Sequence, residues 1–419
     1  MTVLFRDVQV YPGSGDAVLR ERDVVTEGAT IASISPHDPA GRVGDDVTVI
    51  DAGGRTLMPG LIDAHWHAAF TSVDPFTALV ADPFYLLIVA GQQATATVLR
   101  GFTTVRDCGG PTFGLKRAID EGVIQGPRIY PSGAMITQTS GHGDFRLPNE
   151  IPRDPCCGLS HIEKVGASAI ADGVDQVLRV AREQLMRGAS QLKLMAGGGV
   201  SSPFDPLDVT QYTEAELRAG VEAAENWGTY VMVHAYTPHS IRQALRVGVR
   251  SIEHGHLVDE PTMAMIAEHG AWLSLQPFLD DEDAPPASPA LRPKFLQMVT
   301  GTDTAYELAI KHEVNLAWGT DTLFSAELAA KQGKQLAKMT RWFSPAEILT
   351  MATSTNARLL EMSGPRNPYP GVLGRVEQGA VADLLLVDGN PLSDIDLLAD
   401  PEQNLKVIVK DGAILKNSL

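Results

Sequence analysis

The sequence predicts an α/β protein in which a (β/α)₈ TIM barrel carries a small β-sandwich domain built from both chain ends. Three observations predict this fold. Apolar runs alternate with helical patterns through the middle of the chain, which is typical of a parallel sheet. Both ends consist instead of short strands separated by turns. The length of 419 residues accommodates one barrel of about 250 residues and a smaller module. A doubly wound open sheet is the alternative fold for the middle of the chain.

Short strands and turn signals mark the two ends of the chain. The N-terminal segment contains the runs VLFRDVQVY, RDVVTEG, ATIASISP and VTVIDAGG, with turn signals such as Pro12-Gly13 between them. The C-terminal runs ADLLLVDGNP and LKVIVKDGAIL have the same character. We therefore predict one small β domain from residues 1–58 and 365–419, with the barrel inserted between them as residues 59–364.

Eight runs of the middle segment have the pattern of buried parallel strands. In chain order they are LIDAHWH (61–67), TTVRDCG (103–109), RIYPSG (128–133), QLKLMA (191–196), YVMVHAY (230–236), SIEHG (251–255), WLSLQP (272–277) and NLAWGTD (315–321). Helical stretches lie between them, for example residues 174–189 and 213–228. Thr213 and Glu216 form a capping-box pattern at the start of the second stretch. These strand–helix units predict the barrel.

Composition argues against several other classes of protein. The net charge of −17 disfavours a nucleic-acid binder, because such proteins need stripes of Lys and Arg. The longest apolar stretch, Phe84 to Ala90, is far shorter than the roughly 20 residues of a membrane span, and the N-terminus lacks the features of a signal peptide. Cys108, Cys156 and Cys157 are too few for a disulfide framework, and we interpret the adjacent pair as reduced loop or core residues. We therefore expect a cytoplasmic protein that binds neither nucleic acid nor membrane.

Six polar residues stand on the predicted barrel strands, and we call them the metal set. They are His65 and His67 on the first strand, Lys193 on the fourth, His234 on the fifth, His254 on the sixth and Asp321 on the eighth. A barrel builds its active site at the C-terminal ends of its strands, so we expect the six side chains to converge. Any one of these histidines alone is more often a hydrogen-bonded core residue, and Asp321 alone would fit a helix cap. An active site is indicated only because all six residues occur together, each on its own predicted strand in chain order.

The chemistry of the metal set suits divalent metal ions. Four neutral imidazoles and one carboxylate are ligands for a borderline ion such as Zn²⁺. Lys193 lies among apolar residues, where a buried ammonium is costly without a partner. Carbamylated by carbon dioxide, this lysine becomes an anion with two oxygens that can bridge two metals. Two metals about 3.5–4 Å apart can share one hydroxide and polarise a carbonyl oxygen. Asp321 can then be a metal ligand and a general base.

With these motifs the sequence resembles the amidohydrolase superfamily, in the branch of prolidase-like and imidazolonepropionase-like enzymes. The resemblance covers nearly the whole chain. Its motifs in chain order are PGLIDAHWH, TTVRDCGG, GHGD, LKLMAGGG, VHAYT, IEHGH, GTD and GAVADLLLVDGNP. The resemblance implies a binuclear hydrolase, most often with Zn²⁺, that assembles as a homo-oligomer, for example an octamer.

The resemblance also implies a role for each member of the metal set. His65 and His67 would bind the more buried metal, and a carboxylated Lys193 would bridge the two metals. His234 and His254 would hold the second metal. The carboxylate on the eighth strand would be both a ligand and the catalytic base.

Five further residues would contact the substrate if the resemblance holds. His142, in GHGD, would help to polarise the scissile carbonyl, and Tyr236 would contact a substrate carboxylate. The glycine run after the fourth strand would let the backbone amides of Gly198, Gly199 and Val200 approach the substrate. Without the resemblance these residues would be a loop histidine, a barrel-rim aromatic and a tight turn.

The function implied is hydrolysis of an amide bond by attack of a metal-bridging hydroxide. The expected substrates are Xaa-Pro dipeptides or N-acyl amino acids. Alternatives are xenobiotic amides or ureas of the ochratoxin or phenylurea type, and a cyclic amide as in imidazolonepropionase-like enzymes. Lys193 disfavours a mononuclear deaminase, which would lack the bridging lysine. The presence of the full metal set disfavours a catalytically inactive scaffold.

Overall fold

The computed structural model describes residues 1–41, 44–151, 158–284 and 288–419. Its strands are β1 (Thr2–Val10), β2 (Leu19–Glu27), β3 (Thr30–Pro36), β4 (Val47–Asp51), β5 (Thr56–Pro59), β6 (Leu61–Trp66), β7 (Phe102–Asp107), β8 (Arg128–Pro131), β9 (Met135–Thr137), β10 (Ser168–Ile170), β11 (Leu192–Met195), β12 (Val231–Ala235), β13 (Ser251–His254), β14 (Trp272–Leu275), β15 (Asn315–Trp318), β16 (Leu384–Val387), β17 (Leu405–Lys410) and β18 (Ala413–Asn417). Its α-helices are α1 (Pro75–Val80), α2 (Pro83–Leu99), α3 (Phe113–Asp120), α4 (His161–Val165), α5 (Val174–Met186), α6 (Glu214–Asn226), α7 (Pro238–Arg246), α8 (Glu260–Glu268), α9 (Arg292–Val299), α10 (Thr302–Lys311), α11 (Ala326–Ala330), α12 (Gln332–Ala337), α13 (Pro345–Thr350), α14 (Asn356–Glu361) and α15 (Pro401–Asn404).

Strands from the two ends of the chain meet in one sheet, which we call the terminal sheet. Its order within the described residues is β18-β17-β16-β5-β1-β2-β3, with β4 paired to β1. The antiparallel pair β5–β16 joins the N-terminal strands to the C-terminal ones. Alternate side chains of β1, such as Val3 and Phe5, are fully buried in an apolar cluster, as the two-residue period of a strand requires. Both ends therefore contribute to one sheet, as their patterns indicated. A sandwich domain with boundaries at residues 58 and 365 stays a prediction.

All eight strands predicted for the middle segment are present. Three of them, β6, β7 and β8, form a parallel sheet. The other five belong to a parallel sheet with the order β10-β9-β11-β12-β13-β14-β15. Nearly all of their residues are buried, as expected for parallel strands covered on both faces. The short strands β9 and β10, with three residues each, were not predicted from the sequence.

Within the described residues the barrel strands form two sheets, where the sequence predicts one closed ring. Side chains connect these two sheets at two places. Between β6 and β15, the amide of Asn356 donates to the carbonyls of Ile62 (2.7 Å) and Trp318 (2.8 Å). Between β8 and β11, the amide of Gln191 donates to the carbonyl of Tyr130 (2.9 Å). Buried carbonyls need a donor, and here a side chain supplies it in place of a neighbouring strand.

The helices between the strands form where the sequence predicts them. In α5, Val177, Val180 and Leu185 lie on one buried face, which is the periodicity of an amphipathic helix. The capping box of α6 is present. Thr213 Oγ1 accepts from the N–H of Glu216 (3.4 Å), and Glu216 Oε2 accepts from the N–H of Thr213 (2.8 Å). Loss of such a cap removes about 1 kcal/mol of stability.

Polar contacts connect the terminal sheet to the barrel segment. Arg128 on β8 pairs with the carboxylates of Asp383 and Asp411. The hydroxyl of Ser354, in the π-helical turn Met351–Thr355, donates to the carbonyl of Gly13 (2.6 Å). These contacts fasten the barrel segment to the terminal sheet, and the contact of Arg128 does so at the N-terminal end of β8.

Two observations concern the remaining sequence predictions. No helix in the described part of the chain combines the length and the low polarity that a membrane crossing requires. Cys108 is buried as a free thiol, whereas the prediction for Cys156 and Cys157 falls outside the described residues.

Candidate metal centre

The metal set converges at the C-terminal ends of the barrel strands. Ring centroids are 5.3 Å apart for His65 and His67, 4.9 Å for His65 and His254, and 4.6 Å for His234 and His254. Asp321 Oδ1 lies 3.3 Å from Nε2 of His65 and 3.3 Å from Nε2 of His67. These groups come from the ends of three strands, β6, β12 and β13, and from the loop after β15, so the tertiary fold alone brings them together.

The backbone that carries two members of the set is strained. His254 has a φ of 78° and Asp321 a φ of 47°, a left-handed conformation that non-glycine residues rarely adopt. The N–H of Asp321 donates to the carbonyl of His65 at 2.8 Å. Gly319 permits this close approach, because a Cβ at that position would collide with the backbone nitrogen of His65. Such strain persists only where the surrounding structure enforces it, and it clusters at functional sites.

Each imidazole of the set is held through one ring nitrogen by an oxygen. These contacts are His65 Nδ1 to Glu253 Oε2 (2.7 Å), His67 Nδ1 to the Gly109 carbonyl (2.9 Å), His234 Nε2 to the Gly198 carbonyl (3.0 Å) and His254 Nδ1 to Gln276 Oε1 (2.7 Å). Because an oxygen acceptor requires an N–H, the other nitrogen of each neutral ring carries a lone pair. His65 Nε2 is buried and makes no hydrogen bond within the described residues. Metal-ligating histidines are fixed in this manner.

Burial and neighbouring charges shift the pKa values of several residues in the centre. Burial lowers the pKa of His234 and of His254 well below the usual histidine range. Burial raises the pKa of Asp321, but the adjacent imidazole of His65 outweighs this effect and holds that pKa well below its usual range. His234, His254 and Asp321 are therefore in the forms that bind metal. Burial lowers the pKa of His65, but the neighbouring Cys108 and Asp321 outweigh this effect and raise that pKa well above its usual range.

Lys193 is the unusual member of the set. Its side chain is 1% exposed, and no hydrogen bond or ion pair reaches its Nζ from the residues that the structure describes. A buried ammonium without a carboxylate partner is strongly unfavourable. The position therefore requires a bound partner or a modification that removes the positive charge.

A buried charged pair, Arg106 and Glu253, contacts His65 of the metal set. The sequence analysis did not identify this pair. Arg106 on β7 donates to both carboxylate oxygens of Glu253 on β13, at 2.9 and 2.7 Å. Although burial raises the pKa of Glu253, the Arg106 guanidinium holds it below the usual range. Glu253 therefore stays ionised and orients His65. The signal was in the sequence, because both residues are charges inside apolar strands, as Lys193 is.

His142 lies directly beside the metal set. Its ring stacks on that of His234 with centroids 4.1 Å apart, and its Nδ1 lies 2.6 Å from Ser202 Oγ. Ser202 in turn donates to the carboxylate of Asp205, so its oxygen accepts the Nδ1–H of the histidine. Ser202 and Asp205 lie in a loop, where no sequence pattern pointed to them.

Tyr236 and the glycine run border the same centre. The Tyr236 ring lies 4.8 Å from that of His234 and 5.1 Å from that of His254, and burial raises the pKa of Tyr236 well above its usual range, which keeps the phenol protonated. The N–H groups of Gly198 and Gly199 are already bonded, to the Val209 carbonyl (3.1 Å) and the Asp205 carboxylate (2.8 Å). Their amides are therefore not free for a substrate, unlike the expectation from the sequence.

The geometry is suited to binding a divalent ion. Ligand atoms of His65, His254 and Asp321 lie within 4.8 Å of one another, and this set of nitrogen and oxygen donors favours a borderline ion such as zinc. A second close group within the described residues combines His65, Cys108 and Glu253. The carboxylate of that group is already engaged with Arg106, so the first group is the better candidate.

Comparison with known proteins identifies the family. Residues 56–414 match the family described as "Amidohydrolase family". One curated relative is the ochratoxinase of Aspergillus niger, which is 32% identical over 379 residues, covering 86% of this chain and 75% of the relative.

Solved structures of similar proteins agree with this match. A prolidase complexed with N-methylphosphonate-L-proline has a TM-score of 0.89 at 33% identity, covering 100% of both chains. A Xaa-Pro dipeptidase with bound methionine has a TM-score of 0.84 at 27% identity, again covering 100% of both chains. The ochratoxinase structure from A. niger has a TM-score of 0.83 at 27% identity and covers 99% of this chain and 96% of that one.

These likenesses extend over the whole chain and imply an α/β fold of the TIM-barrel type. Proteins of the family are typically metal-dependent, in agreement with the ligand groups found here. The chain therefore belongs to the amidohydrolase family, in its prolidase-like branch, and it is a hydrolase that acts on the carbon–nitrogen bonds of amides.

Proposed function

We propose that the protein is a binuclear metal-dependent hydrolase of amides that carry a free carboxylate, either Xaa-Pro dipeptides or N-acyl amino acids. One observation carries the proposal, namely that Asp321 Oδ1 lies 3.3 Å from the Nε2 atoms of both His65 and His67. Both imidazoles contact fixed oxygen acceptors through Nδ1, so their Nε2 atoms lie on the side of the carboxylate. Imidazole nitrogens and a carboxylate oxygen are donors of the types that Zn²⁺ binds.

The metal set divides into two groups of ligands. His65 and His67 would hold the more buried ion, and His234 and His254 the second. Lys193 would bridge the two as a carbamate. The ammonium first loses one proton, and the neutral amine then forms a nitrogen–carbon bond to carbon dioxide and loses a second proton, so a buried cation becomes an anion. Glu253 interacts electrostatically with Lys193, but no carboxylate of the described residues forms an ion pair with it, which supports this assignment because a buried ammonium is unfavourable without such a pair.

Two divalent ions at this position would acidify water and polarise the carbonyl oxygen of the substrate. The protein itself supplies the proton transfers. Asp321, ionised at neutral pH, takes a proton from the attacking water and returns it to the departing nitrogen. A positioned carboxylate in this role typically contributes about 10²- to 10⁴-fold in rate. The left-handed backbone at Asp321 keeps the carboxylate aimed at the centre.

Two side chains would bind the substrate next to the metals. His142, with Nδ1 donating to Ser202, would polarise the carbonyl oxygen through Nε2 in the form that carries a proton on both ring nitrogens, and the carboxylate of Asp205 lies 3.4 Å from Nδ1. Tyr236 stays protonated, and its hydroxyl would donate to the substrate carboxylate. Of the predicted backbone amides, Val200 retains an N–H without a hydrogen bond within the described residues, so it would be the third donor.

The relatives support a substrate with a carboxylate next to the amide. One similar structure is a prolidase complexed with N-methylphosphonate-L-proline, and another is a Xaa-Pro dipeptidase. A second candidate is an amide with a large aromatic acyl group, which the likeness to ochratoxinase favours. The apolar cluster around Tyr236, with Phe278, Phe295 and Met298, would accept such a group.

The test is amine release by the zinc-reconstituted protein in bicarbonate buffer near neutral pH. The substrates are Xaa-Pro dipeptides, N-acyl amino acids, aryl amides without a carboxylate, and phenylureas. We expect turnover of the first two classes only, and at least a tenfold increase in KM for them in Tyr236→Phe, because loss of one hydrogen bond to a charged group is worth about 1.5–3 kcal/mol. An N-acyl phenylalanine with an aromatic acyl group tests the second candidate directly.

Other outcomes would contradict the proposal in distinct ways. Turnover confined to neutral aryl amides or ureas would remove the role of Tyr236 and indicate a xenobiotic hydrolase. Activity on cyclic amides alone would favour the imidazolonepropionase-like alternative. One equivalent of bound metal in the fully active protein would exclude the binuclear assignment.

A further inference from the structure

Lys294 ties together two segments that lie far apart in the sequence. It lies in the first turn of α9, which follows β14, and its Nζ donates to the carbonyls of Gly199 (3.1 Å) and Ser202 (2.8 Å) and to that of Asp205. All three acceptors belong to the loop after β11. Two strands, β12 and β13, separate β11 from β14 in the sheet, so the contact spans the end of the barrel that carries the metal set.

The three carbonyls satisfy the three N–H donors of the ammonium. Lys294 is therefore not available to bind a substrate carboxylate, although it is a cation close to the candidate site. Its carboxylate neighbour Asp205 is 3.9 Å away, which is beyond hydrogen-bond distance. The geometry is that of a cation that orders a loop.

The loop after β11, which Lys294 holds, makes three contacts with His142. The Asp205–Ser202 pair engages its Nδ1, and the side-chain oxygen of Gln211 accepts from its backbone N–H at 2.9 Å. The ring also lies directly on Gly199, where a Cβ would collide with it. A shift of this loop therefore moves the imidazole.

Apolar contacts reinforce the same bridge. Phe295, next to Lys294 in α9, is buried with Leu207 of the loop, in the cluster that also contains Tyr236. The α9 helix and the loop after β11 thus form one unit above the metal set. The ammonium–carbonyl contacts are the directional part of this unit, since apolar packing alone does not fix a register.

We propose that Lys294 is a positioning residue for His142: it pins the loop of residues 199–205 so that Ser202 and Asp205 hold the imidazole at the substrate carbonyl. This inference rests on the proposed function of His142. It predicts that removing the ammonium lowers the rate of the chemical step and leaves the affinity for substrate and metal nearly unchanged.

The kinetic test uses Lys294→Met, which keeps the length of the side chain and removes its donors. With the dipeptide or N-acyl amino acid that is cleaved fastest, we expect kcat to fall about 10- to 100-fold while KM changes less than about threefold, because small misplacements act on the reacting geometry. Lys294→Arg, which retains the charge and several donors, should restore kcat to within about fivefold of the wild type. The matched control is Lys311→Met, since Lys311 is exposed and pairs only with the surface residue Glu260 in the described structure.

A double-mutant cycle separates positioning from general stability. If Lys294 acts through His142, adding Lys294→Met to His142→Asn should not reduce kcat further.

A spectroscopic measurement without substrate or metal tests whether Lys294 positions the imidazole. It follows the downfield Nδ1–H proton of His142 in protein labelled with ¹⁵N at histidine. We expect this signal to be absent in His142→Asn, broadened or lost in Lys294→Met, and retained in Lys311→Met.

The outcomes distinguish this inference from the proposed function. If His142→Asn keeps the wild-type kcat, the role of His142 is wrong and the inference fails with it. If His142→Asn is impaired but Lys294→Met is not, or if the two losses multiply, only the inference on Lys294 is overturned. Should Lys294→Met not fold at the assay temperature, Lys294→Gln, which retains one donor group, repeats the same cycle.

Discussion

The terminal sheet and the ends of the barrel strands that carry the metal set differ in how many polar groups they bury. The sheet buries apolar side chains such as Val3, Phe5 and Leu384, and its ion pair between His37 and Asp23 stays partly exposed. The barrel end buries the four imidazoles and the lysine of the metal set, a further imidazole at His142, and carboxylates such as Glu253. Burying polar groups is unfavourable unless each has a partner.

Backbone strain differs between the two regions in the same way. In the terminal sheet, positive φ occurs at Asp7, at Glu21 and at Asp411 in the turn between β17 and β18. Asp7 lies in β1 where the register with β2 shifts, and Glu21 is exposed. In the barrel segment it occurs at His254, which is buried, and at Asp321, which is partly buried, both members of the metal set, and also at Ser140, Tyr212, Glu313 and Phe324. Strain at Asp7 accompanies a shift in strand register, whereas strain at His254 and Asp321 aims ligands. The comparison teaches that buried polar groups with one unused donor atom, on a strained backbone, mark the functional end of this fold.

The largest expected effect is that of Lys193→Ala. It should abolish activity and lower the metal content, because the carbamate is the proposed bridge between the ions. Short carboxylic acids should restore part of the activity by taking its place. Metal analysis and kcat check this, with Lys406→Ala in the terminal sheet as the control that keeps both. Full metal occupancy with a normal rate would end the carbamate assignment.

Asp321→Asn should reduce kcat about 10³- to 10⁴-fold with little loss of fold, because an amide cannot accept the proton. The matched change in the terminal sheet is Asp383→Asn, which deprives the buried Arg128 of one carboxylate. That variant should keep its kcat and lose a few kcal/mol of stability at most, visible as a lower thermal midpoint. If Asp321→Asn and Asp383→Asn had the same kcat, Asp321 would not be the catalytic base, and the two regions would not differ in function.

Glu253→Gln should weaken metal binding about 10- to 100-fold, because a neutral amide orients His65 less strongly. Some loss of stability should accompany it, since Arg106 loses its carboxylate. Metal titration and thermal unfolding measure the two effects separately. Glu260→Gln on α8, where the carboxylate is exposed, should change neither quantity, and unchanged metal affinity in Glu253→Gln would show that His65 needs no support.

The smallest effect concerns pH and the pair of His37 and Asp23. The hydrogen bond to Asp23 raises the pKa of His37, so the pair stabilises the protein fully below the pKa of an unfolded histidine, about 6.5. That stabilisation is lost as pH rises through the higher folded pKa. The thermal midpoint of His37→Gln should therefore lie below that of the wild type at about pH 5.5 and approach it at about pH 9. If the difference in thermal midpoint between His37→Gln and the wild type grew with pH, the pKa of His37 would be lowered in the folded protein, which contradicts this prediction.

Prediction from sequence was strongest where one residue at a strand end carried the signal. The eight barrel strands and the members of the metal set needed only local pattern and strand order. Arg106 and Glu253 were detectable by the rule that selected Lys193, because a charge inside an apolar strand requires a partner. Ser202, Asp205 and Lys294 were not, since each lies outside the strands and acts through contacts distant in sequence. The homo-oligomer, the cytoplasmic location and the roles within the metal set remain predictions.

The sequence by itself determined the order of the strands, the identity of the donor atoms and the acidic, apolar-cored character of the chain, because these depend on side-chain type and short-range periodicity. Only the tertiary structure decided which nitrogen of each imidazole is free, that the amides of Gly198 and Gly199 are already bonded, and that Asn356 bridges the edges of two sheets. Hydrogen bonds extend over about 3 Å in space and are indifferent to separation along the chain. Their pairing is therefore settled when the strands pack, and the chemistry of the centre depends on that pairing.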